Sequence, residues 1–171
     1  NTLFQEMDFR FLYDFGCHLF AVGYRVAEGT LDPSYYDLLA SEARLSSFVA
    51  IAKRDVPSMH WFHLGRRVIR AAGGTVLLSW SGSMFEYLMP ILVMKAPLKT
   101  ILDQTNRQVV RRQIAFGHAR HVPWGISESA YNAQNMEFTY QYSNFGIPGI
   151  GLKRGLLEDL VIAPYATGLA A

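Results

Sequence analysis

The 171-residue sequence has one cysteine, no run of like charge longer than a pair and no long apolar stretch. Each absence removes a class of function. Cys17, alone in the apolar run FGCHLFAV, has no partner for an intrachain disulfide, and its expected state is buried and reduced. Sixteen Lys and Arg stand against 14 Asp and Glu, and the basic residues cluster no further than Arg66-Arg67 and Arg111-Arg112. That is too little for a nucleic-acid surface, so no nucleic-acid partner is expected. The uncharged stretch at residues 71–85, which no other exceeds in length, contains Gly73-Gly74 and SWSGS and ends at Glu86, whereas a membrane span needs about 20 apolar residues. The early charges Glu6, Asp8, Arg10 and Asp14 do not fit a signal peptide. His60 and His63 have metal-compatible spacing, but no Cys or acid cluster accompanies them, and no metal or other cofactor is expected. The glycines of FGIPGIGLKRG match neither phosphate-binding pattern, and Ser81 in SWSGS is not in a GxSxG elbow.

What is present is apolar and aromatic. Half the residues are hydrophobic and 13% aromatic, which suits one well-packed unit. Residues 7–22 carry apolar positions at helical spacing. Asp32-Pro33-Ser34 reads as a helix start, and the pattern runs to about Lys53. Residues 83–95 are apolar on every side with Pro90 as a kink, 102–120 alternate apolar with basic residues, and 164–171 make a last helix. TVLLSW and MEFTYQY read as strands. The expectation is therefore a mainly α fold, part of an α/α barrel of the six-hairpin toroid type, with long aromatic loops and one short β-hairpin. A complete ring needs about twelve helices, so residues 1–171 are expected to be a single fragment of a larger module. The absence of an initiator Met and the apolar end YATGLAA fit that expectation, and bare apolar faces would favour self-association.

Three glutamates are out of place on this map. On a helix, Glu42 shares its face with Leu38, Leu45, Val49 and Ala52, and burying an unpaired carboxylate costs several kcal/mol (roughly, for transfer into an apolar medium). Arg44 points about 160° away on such a helix and is a poor partner for it, while Tyr35 lies on the same face. Glu86 repeats the anomaly in SGSMFEYLMP, with a purely structural alternative in which it ties together backbone amides. Glu128, in PWGISESAYN, sits in a loop beside Ser127, Ser129, Trp124 and Tyr131. Three acids among Tyr35, Tyr36, Trp61, Trp80, Trp124, Tyr131, Tyr140 and Tyr142 suggest a carbohydrate site. Sugar rings stack on aromatic planes, their hydroxyls take carboxylate and Arg partners, and glycosidic cleavage needs two carboxyl groups.

The segments LDPSYYDLLASEARLSSFVAIAKRDVP, HWFHLGR, LLSWSGSMFEYLMP, ILVMK, LDQT, VPWGISESAYN, TYQYSNFGIPGIGLKRGL and VIAPYATGLA lie in order along nearly the whole chain. Together they resemble the glycoamylase-like module of bacterial cyclic β-1,2-glucan synthases. The resemblance implies a module of a large integral enzyme of the bacterial inner membrane, working on the cytoplasmic side beside glycosyltransferase and phosphorylase-like modules. Its implied partner is linear β-1,2-glucan, closed into a ring by retaining transglycosylation; related modules hydrolyse the same glucan, and a non-catalytic glucan-binding fragment is the further alternative. Carried over by residue, Glu42 in SEAR and Glu128 in SES are the implied catalytic pair, with Glu42 preferred as nucleophile and Glu128 as acid/base, and the reverse open. Glu86 and Arg44 join the aromatic residues as the implied sugar-binding set.

Overall fold

Residues 7–22 do not form the helix that their spacing allows. Phe9, Phe11, Tyr13 and Phe15 also alternate with period two, and a short aromatic run satisfies both periods until packing chooses. In the computed structural model, which describes residues 2–71, 73–156 and 158–171, packing chooses strands. After a short helix, α1 (Thr2–Glu6), and a 3-10 turn at Arg10–Leu12, the chain enters β1 (Tyr13–Asp14) and returns as β2 (Leu19–Ala21). Asp14 Oδ1 accepts the Gly16 amide at 2.7 Å and closes the turn between them.

A hairpin follows, β3 (Tyr24–Arg25) with β4 (Thr30–Leu31), and then β5 (Tyr35–Tyr36) pairs antiparallel with β2, so that Tyr36 stands opposite Phe20. The expected helix over 32–53 shortens to α2 (Arg44–Ala52). Asp32 does not cap a helix; its carboxylate accepts the Ser34 amide at 2.9 Å in a tight turn that delivers the two tyrosines to the sheet. Tyr13, Phe20, Ala50 and Val56 form a buried core with Phe9, Leu12 and Ile51 against it.

This first compact unit, Asn1–Arg66, also contains α3 (Met59–His63), which buries His60 completely. The His60 ring lies edge-on to Tyr13 and Phe20; its Nδ1 is 2.9 Å from the His18 carbonyl and its Nε2 is 2.8 Å from Ser47 Oγ. Burial pushes its pKa below the ordinary 6.5, outweighing the bond to the His18 carbonyl. The folded state therefore resists protonation that the unfolded chain accepts. The contribution is complete above about pH 6.5 and declines as pH falls below it, at no more than about 1.4 kcal/mol per pH unit. In an NMR titration the His60 ring protons are expected to report a midpoint below 6.5, and urea midpoints to fall from pH 7 to pH 5. A midpoint at or above 6.5 would contradict this.

The second unit, Arg67–Ala171, is organised around its long helix. Strands β6 (Val68–Ala71) and β7 (Gly74–Leu77) form a hairpin, and α5 (Ile101–Arg120) packs along β7, with Thr105 Oγ1 accepting the Leu77 amide at 3.1 Å. The helix matches its expected span because it is long and well signalled: Thr100 caps the Asp103 amide, and His121 adopts a left-handed φ of 56° to end it. By contrast, 83–95 yields only α4 (Met84–Leu88) and a 3-10 turn, Met89–Leu92, that contains Pro90.

Beyond Glu128 run β8 (Ser129–Gln134) and β9 (Tyr140–Ser143), an antiparallel pair, and α6 (Pro164–Gly168) comes last. MEFTYQY thus supplies, in its last residues, one strand of this hairpin. The glycines of FGIPGIG serve close packing: Ile147 N donates to the Gly82 carbonyl and Ser79 N to the Ile150 carbonyl, backbone against backbone.

The mainly α expectation is corrected accordingly. The fold is mixed, 33% helix and 20% strand in several small antiparallel sheets, and it is not a segment of an α/α barrel. Self-association was expected from an incomplete ring of helices, an arrangement this fold does not contain. No helix among the described residues is long and apolar enough to cross a membrane. Cys17 is free and half-buried rather than buried.

Candidate functional site

Glu128 stands at the entrance to β8 on a loop whose backbone is held residue by residue. Gly125 accepts the Ala163 amide at 2.9 Å. The buried Gln113 side chain of α5 grips Ile126 twice, donating to its carbonyl at 2.8 Å and accepting its amide at 2.9 Å. Ser127 Oγ accepts the Phe85 amide at 3.0 Å, at the start of α4. The Tyr165 hydroxyl lies 2.9 Å from Ser127 Oγ and 2.8 Å from the Glu128 carbonyl. Burial raises the Tyr165 pKa, so the phenol stays a donor. Helix α5, the start of α4 and the turn at 163–165 thus converge on four consecutive residues.

The Glu128 carboxylate itself is half-buried and accepts the Tyr142 hydroxyl at 2.5 Å, across the β8–β9 hairpin. Tyr140 and Tyr142 are 57% and 61% exposed and, two apart on a strand, share one face. A fixed acid beside open aromatic rings can hold a sugar ring and exchange a proton with a glycosidic oxygen. Tyr131 turns the other way and packs edge-on to Phe145 at 5.2 Å.

Glu86 has a different character. Only 6% exposed, it receives the hydroxyls of Ser79, Ser81 and Ser83 at 2.7–3.2 Å and the amides of Ser81 and Ser83 at 2.9–3.1 Å. Ser83 and Glu86 form a capping box at the start of α4. The carboxylate organises the SWSGS turn and through it Trp80, which is 46% exposed and whose carbonyl accepts the Leu152 and Lys153 amides. Trp124 is half-buried beside Gly117 of α5.

In the first unit Glu42 does not lie on a helical stripe. It belongs to the turn that leads into α2, half-buried, with Ser41 Oγ donating to Glu42 Oε2 and accepting the Ala43 amide, both at 3.2 Å. Arg44 is the buried first residue of α2, and its guanidinium donates to the Ser41 carbonyl at 3.0 Å. Tyr35 gives its hydroxyl to Asp14 at 2.6 Å; that bond lowers the Asp14 pKa and pushes Tyr35 up to about 12. Tyr36 is half-buried on β5, and Trp61 is half-buried on α3, its carbonyl accepting from Arg66. Among the described residues no group of three or more His, Cys, Asp or Glu is placed to hold a metal.

Sequence reasoning missed Gln113 and Tyr165. Gln113 had a legible signal, a polar residue amid the apolar positions of a helix; Tyr165 had none, since it reaches back 37 residues to Glu128.

Residues 34–171 match the model of the Glycoamylase family, described as "Putative glucoamylase". The chain belongs to this family, a class of carbohydrate-active domain. It is also 56% identical, over 96% of its length, to the cyclic beta-(1,2)-glucan synthase NdvB of Rhizobium meliloti strain 1021, and it spans about 6% of that relative.

Proposed function

We propose that the chain is part of the glycoamylase-like module of a cyclic β-1,2-glucan synthase and takes part in closing linear β-1,2-glucan into a ring. The observation that carries the proposal is Glu128, a carboxyl group on an immobilised loop beside exposed tyrosines, in a chain 56% identical to such a synthase. Glu128 acts as acid and then base, and Glu42 as nucleophile. In the first step the glycosidic C–O bond breaks, a glycosyl ester forms on the nucleophilic carboxylate and the acid's proton passes to the leaving oxygen. In the second the glucan's own terminal hydroxyl attacks the anomeric carbon, displaces the nucleophilic carboxylate and passes its proton to Glu128, with net retention. Tyr140 stacks on the sugar, with Trp80, Trp124 and Tyr131 lending smaller or supporting surfaces. Tyr35, Arg44 and Glu86 act by holding their neighbours.

The test uses the full-length protein with linear β-1,2-glucan and analysis of the products. Glu42→Gln and Glu128→Gln are each expected to slow ring formation by about 100- to 10,000-fold. Near-normal rates in either variant remove that residue from the mechanism. Linear fragments in place of rings from the unsubstituted protein would point to water as acceptor, and binding without turnover to a non-catalytic role.

A further inference from the structure

The loop bearing Glu128 is fixed by its backbone, but a glutamate side chain still has three torsions to settle. Tyr142 settles them. Its hydroxyl donates to Glu128 Oε2 at 2.5 Å, the short end of the range for a hydroxyl on a carboxylate. The geometry follows from the sheet register. Ser129 pairs with Ser143 and Ala130 with Tyr142, so the residue just before β8 lies within a phenol's reach of β9. A tyrosine anchored in a two-stranded ladder has only two torsions and is the stiffer partner.

We propose that Tyr142 is a positioning residue for Glu128, acting through its hydroxyl rather than its ring. The inference rests on the acid/base role proposed above for Glu128. It separates two functions that one exposed tyrosine can have. A stacking platform needs the aromatic ring and survives loss of the oxygen. A positioning residue needs a donor at that point and works in the transition state more than in binding. The hydroxyl keeps the carboxyl oxygen where the glycosidic oxygen arrives, and a misplacement of about 1 Å costs on the order of 100-fold in rate. Tyr24, 42% exposed on β3 and outside the proposed site, serves as the control for loss of a phenol hydroxyl.

The experiment compares Tyr142→Phe, Tyr142→Gln, Tyr142→Leu and Tyr24→Phe in the full-length protein, with Glu128→Gln alongside, on linear β-1,2-glucan. Tyr142→Phe is expected to lower kcat by about 10- to 100-fold with little change in KM or melting temperature. Tyr142→Gln, which keeps a donor without the ring, is expected to retain more kcat than Tyr142→Leu, and Tyr24→Phe to match the unsubstituted protein in kcat. Unchanged kcat in Tyr142→Phe, a rise confined to KM, or equal damage in the Gln and Leu variants would each overturn the proposal. If Glu128→Gln is inactive in the same series, that failure is specific to Tyr142 and leaves the role of Glu128 standing. If Glu128→Gln is as active as the unsubstituted protein, both fall.

Discussion

Replacing Glu86 by Ala is expected to unfold the second unit rather than weaken it by degrees. The side chain accepts five donors in a space from which water is excluded: three serine hydroxyls and the amides of Ser81 and Ser83. The hydroxyls can rotate to other acceptors, but the two amides are fixed by the turn. Each buried donor left without an acceptor costs about 1–3 kcal/mol, and the cavity left by the side chain adds to that. A loss of about 5 kcal/mol or more is expected, comparable with the entire stability of an ordinary domain. Circular dichroism and thermal melting would register it as loss of the cooperative transition. Glu86→Gln, which keeps the shape and one acceptor oxygen, should retain a transition at lower temperature. An alanine variant that melts like the parent would show that the turn holds without its carboxylate.

Gly146→Ala is the second large effect, and its cause is steric. A Cβ at this position would lie 1.9 Å from the Ser81 carbonyl oxygen and 2.7 Å from the Gly82 carbonyl carbon. Both atoms are backbone, so no side chain can swing aside. The two segments must separate, which breaks the hydrogen bond from Ile147 to Gly82 and opens the packing of the fully buried Ile147. The expected loss is about 4 kcal/mol or more, at the far end of the range for single substitutions. Gly23→Ala is the matched control, because a Cβ there meets nothing within 4 Å. A denaturant midpoint for Gly146→Ala equal to that of Gly23→Ala would contradict the steric account.

The contrast between these two positions shows what the sequence makes legible. Ser83-x-x-Glu86 is a capping-box pattern, visible without a structure, and it predicts the carboxylate's partner at the helix start. Its bonds to Ser79 and Ser81 depend on the shape of a turn and are not visible. Helix α5 was legible from the alternation of apolar and basic residues over 102–120, one residue short of its observed start. The strands of the first unit were not, because β1 and β5 are two residues long and only their tertiary partners make them strands. Glu42 was singled out for lying on a helical stripe that does not form, although its place in a serine-held turn is equally unusual. Glu128 drew notice from its neighbours Trp124 and Tyr131, yet its partners Tyr142 and Tyr165 come from 14 and 37 residues downstream, where no local pattern points back.

The backbone embrace of residues 79–82 by 147–152 also imposes an order in time. Tyr87 donates to the carbonyls of Leu77 and Ile150, groups from opposite ends of the unit, and 63 residues separate the tyrosine from the second. Closing so wide a loop costs entropy before any contact repays it. As the chain emerges in synthesis, residues 79–82 lack their backbone partners until residues 147–152 follow. Docking of the glycine-rich segment is expected to be a late event in folding this unit, and a nascent chain halted before that point would hold the SWSGS turn without the backbone that clasps it.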